Sequence, residues 1–255
     1  SVGATENAML AACGAEGTTV IANAAREPEI VDLQTFLQKM GAHVQGAGSS
    51  TVVVEGGAPL HGCVHTVVAD RIVAATYLAA GTGVDIRLEG VDYRHLSAVA
   101  TMLRQAGCRL TCGETSIRLQ APRRLQSAGP IRTAPYPGFP TDAQAVLMAS
   151  LLRSEGATVF VENIFDSRYR HVPEMVRMGA DIRLEGRVAV VCGVDRLHGA
   201  AVRAKELRGG ASLVLAGLQA EGETAVTGVE HIQRGYEDLT GELAQLGADI
   251  RQEER

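Results

Sequence analysis

The chain has 255 residues, of which 46% are hydrophobic and 21% charged, and its formal net charge is −5 at pH 7. These values are typical of a soluble globular protein with one large domain or two ordinary ones. The acidic balance argues against nucleic acid as a partner, and no apolar run approaches the roughly 20 residues that span a bilayer. The sequence therefore predicts neither a nucleic-acid nor a membrane partner.

The cysteines are odd in number and scattered, at Cys13, Cys63, Cys108, Cys112 and Cys192. This pattern, with no recognisable secretory signal, predicts reduced thiols and a cytoplasmic protein. No His or Cys pair completes a zinc set beside Cys108 and Cys112, so we predict no metal site. Nothing in the sequence indicates a cofactor.

A glycine followed by a β-prone run and then an amphipathic helix that ends at a second glycine occurs four times. The pairs are Gly17 and Gly41, Gly83 and Gly107, Gly156 and Gly179, and Gly222 and Gly247, with separations of 24, 24, 23 and 25 residues. Such regularity indicates one supersecondary unit repeated along the chain.

The first unit gives the element order that we expect in all four. We predict a helix over 5–16, a strand over 18–22, a helix over 29–40 that stops at Gly41, and a hairpin of strands 43–45 and 51–55. The second unit is expected over 70 to about 133, the third over 140 to about 204, and the fourth from 206 to the end.

The first helix of each unit is small and apolar nearly all round, as in AVLMASLL and ASLVLAGLQA, which is typical of a fully buried helix. The second helix is apolar on one side only. We therefore expect buried helices with sheets facing outward. Residues 1–68 should form one unit, and residues 69–255 a pseudo-threefold domain of three units, with the strands after Gly83, Gly156 and Gly222 in equivalent places.

Two loops that precede helices carry candidate acids. Glu27 and Glu29 begin the helix after Asn23, where acids favour the helix macrodipole, although simple helix capping is the competing reading. The proline-rich loop TAPYPGFPTD ends in Thr141 and Asp142. Thr141 is a natural N-cap, so capping competes with a catalytic role there too.

Arginines are the other candidates. Arg168 and Arg170 lie in a predicted strand-to-helix turn, and Arg208 and Arg234 are expected at equivalent helix starts. A single surface arginine is usually solvated, but three at the same end of equivalent units would suit a carboxylate or a phosphate. An anionic substrate beside an Asp is the inference from the residues alone.

Six segments together resemble the UDP-N-acetylglucosamine 1-carboxyvinyltransferase family, nearly end to end: SVGATENAM, NAAREPEIVD, TAPYPGFPTD, HVPEMVRMGA, LRGGASLVLAGL and HIQRGYE. The resemblance implies an α/β fold, the inside-out α/β barrel of repeated βαβαββ units. It implies transfer of the enolpyruvyl group of phosphoenolpyruvate to the 3-hydroxyl of UDP-N-acetylglucosamine, the first committed step of peptidoglycan synthesis. One unit of one domain and three of the other would then be present.

The resemblance also implies roles for individual residues. Ser1, Val2 and Gly3 would contact the UDP diphosphate, Thr141 and Asp142 the sugar, and Ile164 the nucleotide sugar through its backbone. Asp142 would be the general base. Arg168, Arg208 and Arg234 would bind phosphoenolpyruvate, and Glu27 and Glu29 would lie near the cleft. Glu206 stands where the family usually has Asp, and this one-carbon extension could displace Arg208 by about an ångström. Gly209–Gly210 replace the more usual Ala-Ser.

The family's chain is longer at its N-terminal side, so its catalytic-loop Cys or Asp is expected to have no counterpart here. We therefore expect the chain to be catalytically incomplete. Two alternatives stay open: an enzyme similar to 5-enolpyruvylshikimate-3-phosphate synthase, and a non-catalytic half-protein that binds ligand or an N-terminal companion chain.

Overall fold

A computed structural model describes residues 1–253. The chain splits into two compact units. Unit 1 is Ser1–Ala69 with Pro135–Gly138, and unit 2 is Asp70–Ala134 with Phe139–Arg255. Among the helices of the described residues, none is long and apolar enough to cross a membrane.

Unit 1 contains α1 (Val2–Cys13), β1 (Gly17–Ala22), α2 (Pro28–Lys39), β2 (His43–Gln45) and β3 (Thr51–Gly56). Its strands form an antiparallel sheet in the order β1-β3-β2. The first helix begins and ends three residues earlier than the predicted 5–16. The Ser1 carbonyl already accepts from the amide of Thr5, and the amide of Gly14 closes the last turn on Ala11.

Unit 2 repeats this order. Its first repeat contains α3 (Arg71–Ala80), β4 (Asp85–Glu89), α4 (Ser97–Gln105), β5 (Arg109–Cys112) and β6 (Ser116–Gln120). Its second contains β7 (Ile131–Arg132), α5 (Thr141–Ser150), β8 (Ala157–Val161), α6 (Val172–Arg177), β9 (Asp181–Glu185) and β10 (Val188–Cys192). The predicted succession of helix, strand, helix, strand and strand is present in both.

The last repeat has shorter strands. They are β11 (Leu197–His198), β12 (Ala201–Arg203), β13 (Ala220–Glu221) and β14 (Ala225–Thr227), with α7 (Leu207–Gly217), α8 (Glu230–Gln233) and α9 (Leu239–Gln245). The first two repeats build sheets in the orders β4-β6-β5 and β7-β8-β10-β9, whereas β11-β13 and β12-β14 are parallel pairs.

Three helices form the centre of unit 2. The small, apolar helices α3, α5 and α7 pack against one another, and eight residues of α5, from Ala143 to Ser150, are buried in succession. The sheets lie outside them, so the expectation of buried helices and outward sheets is confirmed. In unit 1 the corresponding helix α1 buries only Thr5, Met9, Ala12 and Cys13, and Leu10 is 50% exposed.

The eight glycines that delimit the repeats share one backbone conformation. Their φ angles lie between +83° and +98°, from Gly17 through Gly247. Residues with a Cβ adopt this region only at a cost, whereas glycine enters it freely. The regular spacing in the sequence therefore marks the four left-handed turns that lead into strands and the four that end helices.

Candidate functional site

The site in unit 2 is built around Asp142, the second residue of α5. Its carboxylate is 44% exposed and forms a hydrogen-bonded ion pair with Arg168, which the loop between β8 and α6 supplies. On its other side, the Nε atom of Arg208 is 4.0 Å from Asp142 Oδ2. A loop and the start of α7, which are distant in the sequence, thus place two guanidinium groups beside one carboxylate.

Arg208 is a buried cation that the described residues pair only in part. Its residue is 9% exposed, and its Nε and Nη1 atoms have no hydrogen-bond acceptor among residues 1–253. The guanidinium lies 5.3 Å from the ring centroid of Tyr236, whose hydroxyl is 2.8 Å from Thr76 Oγ1. A buried charge with unused donors is unfavourable unless a ligand satisfies it, so the geometry suits an anion.

Glu206 and two glycines fix the position of Arg208. Glu206 is the N-cap of α7, and its carboxylate accepts from the amides of Arg208, at 3.0 Å, and Gly209. A Cβ at Gly209 would overlap Glu206 Oε1 and would lie 2.9 Å from His171 Cβ. A Cβ at Gly210 would lie 2.7 Å from Ile232 Cγ1. Glu206 and Gly209 are therefore sterically linked, because the Glu206 carboxylate occupies the space that an alanine at 209 would need.

A buried carboxylate, Glu162, joins the loop after β8 to the start of α5. Its Oε1 atom accepts from Thr133 Oγ1 at 3.0 Å, the Ile164 amide at 2.8 Å and the Phe165 amide at 3.0 Å. Its Oε2 atom accepts from Thr141 Oγ1 at 2.9 Å. Glu162 is only 1% exposed, so these four donors replace the water that would otherwise solvate it.

His171 is a buried imidazole beside the start of α7. It is 3% exposed, and neither ring nitrogen has a hydrogen-bond partner among the described residues. Burial, and then the positive charge of Arg168, lowers the pKa of His171 from its ordinary value of 6.5 to about 3. Near pH 7 this imidazole therefore adds no charge to the site. Within residues 1–253, no three His, Cys, Asp or Glu side chains gather as a metal ion would require.

The structure brings together five of the residues singled out in the sequence: Thr141, Asp142, Ile164, Arg168 and Arg208. The expectation that Thr141 is the N-cap of α5 is wrong, because Thr141 is the first residue within the helix. Pro140 occupies the N-cap position, and the hydroxyl of Thr141 donates to Glu162 instead of accepting from an amide of the helix. The amide of Ile164 is also committed to Glu162, which leaves its carbonyl available.

Arg234 departs from the expected placement at a helix start. It is the residue that follows α8, at the helix's C-terminal end, and its side chain is exposed. No ion pair joins it to another of residues 1–253. The structure therefore assembles Arg168 and Arg208 on Asp142, whereas Arg234 stands apart from that pair of contacts.

The other candidates belong to unit 1. Ser1 is exposed, precedes α1 and accepts from Thr5 through its carbonyl, Val2 is half-buried, and Gly3 is exposed. Glu27 stands at the N-cap position of α2 without a side-chain cap bond, and Glu29 lies in the first helical turn after Pro28. Both acids lie where a negative charge complements the helix dipole, but Glu27 forms no side-chain cap hydrogen bond.

A carboxylate beside two guanidinium groups suits an anionic ligand, and comparisons with known proteins identify the family of the chain. The family model described as EPSP synthase (3-phosphoshikimate 1-carboxyvinyltransferase) matches residues 1–243. The chain belongs to this family. It also resembles the enolpyruvyl transferase NikO from Streptomyces tendae, with a TM-score of 0.89 and 30% identity over 98% of this chain and 60% of that one.

Curated relatives at about 50% identity show which branch of the family the chain resembles. The UDP-N-acetylglucosamine 1-carboxyvinyltransferase 2 of Caldanaerobacter subterraneus is 52% identical over 98% of this chain and 60% of its own length. The corresponding protein of Zymomonas mobilis is 51% identical over the same share of this chain and 59% of its own. The resemblance expected from the sequence motifs is thus confirmed, and the chain spans about 60% of the length of these relatives. EPSP synthase from Acinetobacter baumannii, at 22% identity and a TM-score of 0.72, shares the fold.

Sequence reasoning missed Glu162, on which the geometry of the site depends. A signal was present, because Thr158 and Phe160 are the buried positions of β8 and the same alternation places Glu162 on the inward side. A carboxylate on the buried side of a strand must find several donors. The sequence did not reveal that those donors would come from the loop and from α5.

Proposed function

We propose that this chain carries the phosphoenolpyruvate and sugar recognition of a UDP-N-acetylglucosamine 1-carboxyvinyltransferase. The reaction forms a bond between the 3-hydroxyl oxygen of the sugar nucleotide and C2 of phosphoenolpyruvate. The C–O bond to phosphate breaks, and inorganic phosphate leaves. This would be the first committed step of peptidoglycan synthesis, a cytoplasmic reaction that supports cell-wall growth and with it cell shape and division.

The observation that carries the proposal is the carboxylate of Asp142 between two guanidinium groups at the start of a buried helix. Deprotonation of a sugar hydroxyl needs a base within hydrogen-bond reach. Charge that develops on the carboxylate and phosphate of phosphoenolpyruvate needs fixed cations in a partly water-excluded site. Asp142 supplies the first, and Arg168 and Arg208 supply the second. The names of the relatives at about 50% identity support the same substrates.

The ion pairing of Asp142 also bears on the order of the reaction steps. Its carboxylate is paired with Arg168 and lies near Arg208, so the anion of phosphoenolpyruvate competes with Asp142 for the arginines. Binding of the anion would free Asp142 to take the hydroxyl proton. We also propose that Ser1, Val2, Gly3, Glu27 and Glu29 contribute to substrate binding, and that Arg234 is a further cation for phosphoenolpyruvate.

The relatives extend beyond the part that this chain matches, and we propose that the proton donor for the vinyl carbon belongs to that portion. The 255-residue chain alone should bind phosphoenolpyruvate weakly and release no phosphate. Mixing it with the portion of a relative that this chain does not match should restore some turnover if the two assemble.

The test measures phosphate release from phosphoenolpyruvate with UDP-N-acetylglucosamine, with shikimate 3-phosphate in a parallel reaction. Asp142→Ala should abolish release in the mixture, while Arg118→Ala, an exposed arginine paired with Asp85 on the β4-β6-β5 sheet, should leave it unchanged. Release with shikimate 3-phosphate alone would move the proposal to the other branch of the family. Release by the isolated chain at the rate of the mixture would show that the chemistry is misplaced.

A further inference from the structure

We infer that Glu162 is a positioning residue that sets the hydrogen-bonding polarity of this site, so that it presents acceptors to the donor groups of a sugar. The inference rests on the proposed function and deepens it. Glu162 itself is 1% exposed and acts through the groups it holds.

Glu162 accepts four hydrogen bonds, and each of them occupies a donor group of the site. Its oxygens accept hydrogen bonds from the amides of Ile164 and Phe165 and from the hydroxyls of Thr133 and Thr141. A carboxylate can only accept, so the direction of all four bonds is fixed. Thr133 in turn accepts from the amide of Asn163 at 2.8 Å, which ties the whole loop 163–165 to the same centre.

Once these four bonds are formed, the groups that remain near the start of α5 and in the loop are acceptors. The hydroxyl of Thr141 donates its only hydrogen bond to Glu162. Towards a ligand, its oxygen can therefore act only as an acceptor. The Ile164 amide is used, and no residue in 1–253 donates to the Ile164 carbonyl. Asp142, next to Thr141, is a half-exposed carboxylate. Three acceptors therefore remain near the start of α5 and the loop, while the guanidinium groups of Arg168 and Arg208 supply the donors. Sugar hydroxyl and amide protons suit the acceptors, and phosphate oxygens suit the arginines.

Glu162→Gln separates this role from simple support. The amides of Ile164 and Phe165 cannot reverse, so the glutamine oxygen must stay on their side and its NH₂ group must face Thr141. The hydroxyl of Thr141 would then accept from the glutamine and turn its proton outward. A ligand proton that met an acceptor in the original chain would meet a donor, and a mismatched buried hydrogen bond weakens binding roughly tenfold or more.

The experiment is titration calorimetry with two probes, UDP-N-acetylglucosamine and inorganic phosphate, on the chain in its original form and as Glu162→Gln. We expect about tenfold weaker binding of the sugar nucleotide and phosphate binding that is unchanged or tighter, because a negative charge has been removed. Glu174→Gln is the matched control, since Glu174 is another buried carboxylate of unit 2 but pairs with Lys205 at 3.0 Å. It should change neither affinity.

Equal weakening of both probes would show that Glu162 only supports the fold of the site, and unchanged binding of the sugar nucleotide would refute the inference directly. A chain that binds no sugar nucleotide in its original form would refute the proposed function. The role of Glu162 would then be decided by amide hydrogen exchange in Glu162→Ala. Faster exchange at Ile164 and Phe165 than in Glu174→Ala supports the positioning role, and equal exchange overturns it.

Discussion

Gly209 should tolerate an alanine better when Glu206 is shortened at the same time. In α7, an added Cβ at residue 209 would overlap Glu206 Oε1 and approach His171 Cβ to 2.9 Å. His171 is buried and cannot move away freely. The neighbouring Arg208 contributes to the anion site, so any shift at this helix start also moves a cation of the site.

The magnitude follows from two opposing effects. Overpacking a filled site costs typically 1–3 kcal/mol, whereas alanine in place of glycine gains up to about 1 kcal/mol of helix propensity. We expect Gly209→Ala to lower the free energy of unfolding by about 1–2 kcal/mol. Glu206→Asp keeps a good N-cap and withdraws the oxygen, so the double variant should be more stable than the sum of the single changes by about 1 kcal/mol.

The assay is urea unfolding of the two single variants and the double variant, with free energies from linear extrapolation. Gly129→Ala is the matched control, because the nearest atom to an added Cβ there is Gln105 Oε1 at 3.6 Å and the substitution should be close to neutral. Strict additivity in the cycle, or a Gly209→Ala variant more stable than the original chain, would refute the steric link between the two residues.

Three further predictions concern the site and unit 1. Asp142→Asn should tighten the binding of inorganic phosphate by calorimetry, because the arginines lose their competing carboxylate, while it lowers phosphate release in the complemented enzyme by about 10²–10⁴-fold; weaker phosphate binding would contradict the competition. His171 has a folded-state pKa of about 3, below its unfolded value, so its contribution to stability is complete above pH 6.5. Below pH 6.5 the free energy of unfolding falls by about 1.4 kcal/mol per pH unit, because only the unfolded state binds the proton there. Urea unfolding at pH 7 and pH 5 should show a smaller loss of stability in His171→Gln than in the original chain, and an identical loss would refute the assignment. Amides of α1 (Val2–Cys13) should exchange faster than those of α5 (Thr141–Ser150) unless a partner covers α1, since α5 is buried along most of its length; equal protection in the isolated chain would contradict this.

The fold could be predicted from local signals because the repeat depends on them. Each repeat glycine occupies a backbone conformation that other residues enter at a cost, so its spacing records the turns directly. The all-round apolar character of α5 and α7 indicated burial, and the structure confirms it. The helix bounds were less certain, as in α1, because hydrogen bonds of the end residues, and not the apolar period, decide where a helix begins.

The site was predictable only in its residue types. Asp142, Arg168 and Arg208 were recognisable as an acid and two cations suited to an anionic ligand. The same reasoning gave Thr141 a capping role that it does not have and put Arg234 at a helix start, although it follows the end of α8. Both errors have one cause, since a side chain's partner depends on elements that lie far away in the sequence.

The sequence by itself thus determined the repeated architecture, the buried character of the central helices and the family to which the chain belongs, because these follow from periodicity, backbone preference and motif identity. Only the tertiary structure decided that Asp142 lies between Arg168 and Arg208, and that Glu162 directs the protons of Thr141 and Ile164. Those contacts join residues from separate repeats and loops. Hydrogen-bond direction and charge pairing across such distances are set by how the helices pack, and no local pattern encodes them.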